Sequence, residues 1–189
     1  MRHSVTLLVL ALPLVSGSVF AQETPAAVTP DSTPPAAASP ADGFAIHVVA
    51  PHVVDGVERG PFHHYCKPIS PEPVIQCLIF ESTEPGAPMT QVEYMVAKTL
   101  TRSTITLENW NANWHDHAVE IAGGRVQVLD MPAEEAAKVA GLAATTDGLI
   151  FHLWPHGSPI PTGAVSIAQA VGHVALTAEA YQPGPTAAE

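Results

Sequence analysis

The sequence predicts an α+β fold: a single domain with a mainly antiparallel sheet, a His-x-His hairpin and one long helix. Three observations carry this. Short runs rich in Val, Ile, Phe and Tyr, bounded by Pro, Gly and Ser, recur as strands do. Apolar residues at alternate positions flank Gly123-Gly124, a two-residue hairpin signal. One stretch, MPAEEAAKVAGLAATTDG, carries helix start and stop signals.

Taken in order, the chain opens MRHSVTLLVLALPLVSGSVFAQE. Arg2, an apolar run from Val5 to Val15 and the small-residue site Val19-Phe20-Ala21 read as a signal peptide over residues 1–21. The run is too short to span a bilayer, so a periplasmic or secreted protein with no transmembrane segment is expected. Residues 22–42 (QETPAAVTPDSTPPAAASPAD) lack Lys, Arg and aromatic side chains and read as a disordered Pro/Ala-rich linker. Residues 43–181 are then one domain, and 182–189 a flexible tail.

Within the domain, FAIHVVA (44–50), VIQCLIFE (74–81) and QVEYMVA (91–97) read as strands, and STEPGAPMT between the last two as a surface loop. WHDHAVEIAGGRVQVLD reads as two paired strands. A turn at Gly123-Gly124 sets Ile121 against Val126, Val119 against Val128 and His117 against Asp130, with His115 on the same face and Glu120 on the other. If the segment were helical instead, His117 and Glu120 would be neighbours. Pro132, Glu134 and Glu135 open the helix and Asp147-Gly148 lies past its end; LIFHLW (149–154) returns as a buried strand.

Charge narrows the partners. The chain carries 18 Asp and Glu against 7 Lys and Arg, and its positive residues are scattered. Nucleic acid and anionic membrane surfaces need clustered cations, so they are excluded as partners; a small molecule or a lipid remains. The only cysteines are Cys66 and Cys77. In an oxidising compartment such a pair reads as a disulfide, the rival being a thiolate ligand at Cys66 beside His63-His64.

An H-x-H pair on a strand offers two imidazoles on one face, enough to begin a site for one divalent metal ion whose identity the sequence leaves open. The candidate ligand set is His64, Glu93, His115, His117 and His152, with Asp130 and Glu120 as outer partners and Asp130 fixing the tautomer of His117. The competing reading makes the histidines satisfied polar residues around Asp116 or Asp130. Trp110 and Trp114, set among three Asn, read either as a ligand platform or as core.

HHYCKPISPEPVIQCLIFES, QVEYMV, NWHDHAVEI and FHLW, in that order, resemble the oil-body-associated protein family over residues 44–170. That resemblance implies a largely unknown molecular function: plant members associate with seed oil bodies and influence their size, while bacterial members have no settled role. The leader and linker depart from the plant pattern and mark this chain as an exported bacterial member. Plant relatives carry similar HHYC and QC segments in reducing cytosol, which implies that the fold does not require a disulfide. The H-x-H also resembles that of the cupins, but Glu120 follows His117 by only three residues and the preceding glycine is missing. The function expected is a ligand-binding domain with a His/Glu pocket able to hold a divalent metal. The alternatives are a metal-dependent enzyme with Glu93 or Glu120 as general base, catalytic residues otherwise unassigned, or a non-catalytic lipid or envelope-surface protein.

Overall fold

In the computed structural model, which describes residues 39–182, the elements are β1 (Ile46–Val54), β2 (Val57–Ser70), β3 (Val74–Phe80), β4 (Met89–Ala97), α1 (Lys98–Thr104), α2 (Leu107–Asn113), β5 (His115–Asp116), α3 (His117–Ala122), β6 (Gln127–Leu129), α4 (Ala133–Ala143), β7 (Thr146–His152) and β8 (Ser166–Ala170). The expected signal peptide, the linker up to residue 38 and the tail after residue 182 lie outside the described residues.

The strands pair antiparallel in the order β1–β2–β3–β4–β7–β8, and β8 pairs with β1 again, through Ala170 opposite His52. Six strands therefore close on themselves, which removes the unpaired edges an open sheet would leave. β5 adds to β7, and β6 adds to the free half of the β1 edge. This corrects the α+β expectation: the domain is a closed antiparallel barrel with two extra strands and only short helices. The longest described helix, α4, has 11 residues. It stops at Ala143 because Thr146, Asp147 and Gly148, which end its sequence pattern, are taken by β7 and pair with Ala97, Val96 and Met95 of β4.

The interior follows from alternation along each strand. Phe62 and Cys66 of β2, Ile75, Cys77 and Ile79 of β3, Ile150 of β7 and Ala168 of β8 make one apolar core. Each of the larger side chains contributes about 1.5–3 kcal/mol by its burial. Cys66 and Cys77, directly opposite across β2 and β3, are joined in a disulfide inside the barrel. The same inward alternation brings polar residues in: His52, His64, Gln91 and Glu93 are each no more than 3 % exposed.

The predicted hairpin is absent. His117–Ala122 is helical, with the Asp116 carboxylate capping Ala118 N–H at 2.8 Å. Gly123-Gly124 ends that helix rather than turning two strands. Gly124 takes φ +67°, its N–H reaches Ile121 O, and Arg125 N–H reaches Glu120 O, the paired bonds of a Schellman C-cap. Val128 consequently pairs with Val48 of β1, not with Val119.

Candidate metal centre

His115 and His117 enter the barrel from the junction of β5 and α3. β5 pairs with the start of β7, His115 opposite Gly148 and Asp116 opposite Asp147. Asp116 points away from the histidines, into an ion-pair group: its carboxylate lies 2.6 Å from Lys98 Nζ and 2.9 Å from Arg102 Nη2, and Arg102 also reaches Asp147 at 2.9 Å. Burial opposes the charge of Asp116, but Lys98, the Ala118 amide and Arg102 hold its carboxyl below the usual carboxylate range. This clamp fixes the residue between the two histidines and so aims both inward.

The inward groups meet at Glu93. His117 Nε2 lies 3.0 Å and His115 Nε2 3.2 Å from Glu93 Oε1, and the two nitrogens are 3.3 Å apart. Two donors bound cis to one cation at about 2.1 Å stand about 3.0 Å apart at a right angle and about 3.4 Å at a tetrahedral one. All three separations fall in that interval, so the three atoms outline one face of a coordination shell. Among the described residues, Glu93, His115 and His117 form the one group of three such ligands gathered this closely.

Hydrogen bonding sharpens the chemistry. Thr146 Oγ1 donates its own proton to Ala143 O at 2.7 Å, so it accepts from His117 Nδ1, 2.8 Å away. Nδ1 therefore carries the hydrogen, and a neutral His117 turns a bare Nε2 lone pair toward a carboxylate oxygen. Two acceptors at 3.0 Å require a positive charge between them, either a proton or a metal cation. Burial lowers the pKa of His117, but the hydrogen bond and charge of Glu93 outweigh it and the net direction is upward. Burial likewise raises that of Glu93, and hydrogen bonds from His115 and His117 bring it well below the ordinary value.

Of the residues singled out from sequence, His64 also faces this group, its Nε2 3.7 Å from Glu93 Oε2. Glu120, expected on the far face, turns inward because α3 is a helix; its Oε2 is 3.7 Å from His115 Nε2, and burial raises its pKa. His152 is buried but elsewhere: its ring contacts Ser166 Oγ at 3.5 Å and its charged neighbours are Asp55, Glu81 and Arg59. Asp130 is a correction, since with the hairpin gone it binds His47 Nδ1 at 2.6 Å outside the barrel and is 76 % exposed. Trp110 and Trp114 are buried, which rules out the platform.

Two participants, Thr146 and His52, are not among the residues the sequence singles out. Thr146, the orienter of His117, was assigned to the helix tail. His52 is buried, its Nε2 2.9 Å from His64 Nε2, and its Nδ1 is 2.9 Å from Gln91 Oε1. Burial and the neighbouring His64 lower the His52 pKa to about 3. The signal is the alternation Ile46, Val48, Ala50, His52, Val54, hidden by ending the first strand at Ala50, before Pro51, where the pairing with β2 shifts register.

Above the donors lies a cavity of about 60 Å³. Its floor is His64, Glu93, His115, His117 and Glu120, and its walls are aliphatic, among them Ile46, Val48, Val128, Val139 and Leu142.

Residues 38–181 match the family described as "Protein of unknown function (DUF1264)". The chain is 30% identical over 130 residues to "Oil body-associated protein 1B" of Arabidopsis thaliana, covering 67% of this chain and 51% of that protein. It is 31% identical over 107 residues to "Oil body-associated protein 1A" of Zea mays, covering 56% and 44%. The chain thus spans about half the length of the curated relatives it matches. No solved structure matches it. No helix among the described residues is long and apolar enough to cross a membrane.

Proposed function

The chain belongs to the DUF1264 family of oil-body-associated, functionally uncharacterised proteins, and from that premise we propose that its barrel is a metal-dependent ligand-binding domain. Glu93, His115 and His117 are the ligands of one divalent cation. The observation that carries this is the trio of donor separations, 3.0, 3.2 and 3.3 Å, among Glu93 Oε1, His115 Nε2 and His117 Nε2. Two imidazoles and a carboxylate suit zinc, manganese or ferrous iron and leave coordination positions open. The same three residues line the aliphatic cavity, so a small, largely apolar molecule with one oxygen or nitrogen donor completes the shell in this reading. The relatives' association with oil bodies, read from their names, fits a lipid-derived ligand against the aliphatic walls. We assign the protein to the periplasm or the exterior on the leader-like residues 1–21.

A second reading is favoured by Glu120. It is a buried carboxylate of raised pKa, beside His115 and on the cavity floor, which suits a general base acting on metal-bound water or ligand.

Elemental analysis of the purified protein, followed by melting of chelator-stripped samples with added metal, tests the proposal. A cation at 100 times its dissociation constant stabilises by about 2.7 kcal/mol, a rise in melting temperature of roughly 5–10 °C for a domain of this size. Glu93→Gln and His117→Ala each remove that rise. If zinc, manganese, nickel, copper and ferrous iron all leave the wild-type melting temperature unchanged at pH 7.5, the metal reading is wrong.

A further inference from the structure

We infer that Glu93 is a bridging carboxylate and that His52 and His64 hold a second divalent cation on its other oxygen, making the barrel interior a dinuclear centre. This rests on the metal reading of Glu93, His115 and His117 and extends it to a pair of histidines which that reading leaves out.

Glu93 divides its two oxygens. Oε1 faces His115 and His117, whereas Oε2 faces His64, 3.7 Å from its Nε2. His52 Nε2 stands 2.9 Å from His64 Nε2, with the rings edge to face at 82°. That separation is what two imidazoles bound cis to one cation show, about 3.0 Å. On this side of Glu93 the two nitrogens stand closer than the 3.3 Å of the other side, and the carboxylate oxygen is farther off, 3.7 Å from His64 against 3.0 and 3.2 Å from His117 and His115.

The outer nitrogens complete the argument. A histidine that binds metal through one ring nitrogen is usually held by a hydrogen bond from the other. His64 Nδ1–H donates to Phe62 O at 3.1 Å, and His52 Nδ1–H to Gln91 Oε1 at 2.9 Å. Both rings then turn bare Nε2 lone pairs toward each other at 2.9 Å, in a place where His52 is 2 % and His64 3 % exposed. Two buried lone pairs at that distance repel, and a cation on their Glu93 side converts the repulsion into coordination. His117, held at Nδ1 by Thr146, follows the same pattern. Gln91 bears on the alternative. Its Nε2 is buried without a partner, so an amide turned over would donate to His52 Nδ1 and let His52 Nε2–H donate to His64. That arrangement needs no second metal.

Metal stoichiometry on the full chain separates the two. Chelator-stripped protein dialysed against zinc or manganese should hold two ions per chain, His52→Leu should hold one, and Glu93→Gln should hold fewer than one. Two manganese ions joined through Glu93 give an exchange-coupled electron paramagnetic resonance spectrum in the wild type, a readout that needs no variant to fold. One ion per chain with an isolated-ion spectrum, unchanged by His52→Leu, overturns the bridge and leaves the mononuclear reading standing. No bound ion in the wild type overturns both.

Discussion

Gly148 faces His115 across the β5–β7 pairing with no room for a side chain between them. A Cβ on Gly148 would lie 2.5 Å from His115 Cε1 and 2.7 Å from Glu93 Oε1. The close approach of Glu93 to the imidazoles therefore depends on the one residue type that leaves their space free.

Gly148→Ala should accordingly displace His115 and Glu93 from one another. Overpacking a filled interior costs about 1–3 kcal/mol, so urea unfolding of the metal-free protein should show a loss of that size. Zinc affinity measured by competition with a chelator should fall at least tenfold. Unaltered affinity would mean that His115 is not a ligand.

Thr146 acts on His117 through Nδ1. Replacing such an outer partner typically costs about 10–100-fold in metal affinity. Thr146→Val should show that loss, and Thr146→Ser, which keeps the hydroxyl, should recover most of it. Equal losses in both variants would assign Thr146 a packing role only.

The pH dependence of chelator-stripped protein has a definite sign. His52 has its folded pKa lowered from 6.5 to about 3, so the unfolded chain binds the extra proton between those values. Its contribution is complete above pH 6.5 and is lost as pH falls toward 3, at about 1.4 kcal/mol per pH unit. His117, whose pKa is raised, does the reverse: its contribution is complete below 6.5 and is lost as pH rises through its folded value. Urea melts at pH 6.5, 5.5 and 4.5 should show stability falling with acid, with a flatter slope in His52→Leu. Identical slopes would remove His52 as the cause.

Arg102 serves two carboxylates, Asp116 and the fully buried Asp147. Arg102→Met strands Asp147 without a countercharge, and breaking a buried pair from one side costs about 3–5 kcal/mol. Thermal unfolding should show it. Because Asp116 separates His115 from His117, metal affinity should drop as well, a coupling that an exposed pair such as Lys138–Glu134 should lack when disrupted.

The sequence was most readable where one pattern had one interpretation. β3 and β4 alternate cleanly, but alternation does not say which face of β4 turns inward: Gln91 and Glu93 share the buried face with Met95, while Val92, Tyr94 and Val96 lie on the other. Two glycine dipeptides were less transparent, because a dipeptide does not state which element precedes it. Asp55-Gly56, with both residues at positive φ, makes the β1–β2 hairpin and joins Val54 to Val57. Gly123-Gly124 looks similar and is a helix cap. HAVEIA satisfies both periods: His117, Val119 and Ile121 alternate as in a strand, and His117, Glu120 and Ile121 share a helical face. The Asp116 cap decides for the helix, and with it the placement of Glu120. β2 was missed because Pro61 and Pro68 break its hydrophobic pattern, yet it supplies His64.

The five inward donors come from β1, β2, β4, β5 and α3, and their partners arrive from residues as late as Thr146. No contiguous fragment shorter than the span from His52 to Thr146 contains them all, and closure of the ring through β7 and β8 draws on residues later still. On the metal reading proposed above, capture of the ion is a late event in the life of the chain. During refolding, chromophoric uptake of cobalt should lag behind the appearance of β-structure and coincide with closure of the barrel, because non-local pairings of this kind are slow to form. The bound ion would then act as a clock that reads zero until the last strand is in place.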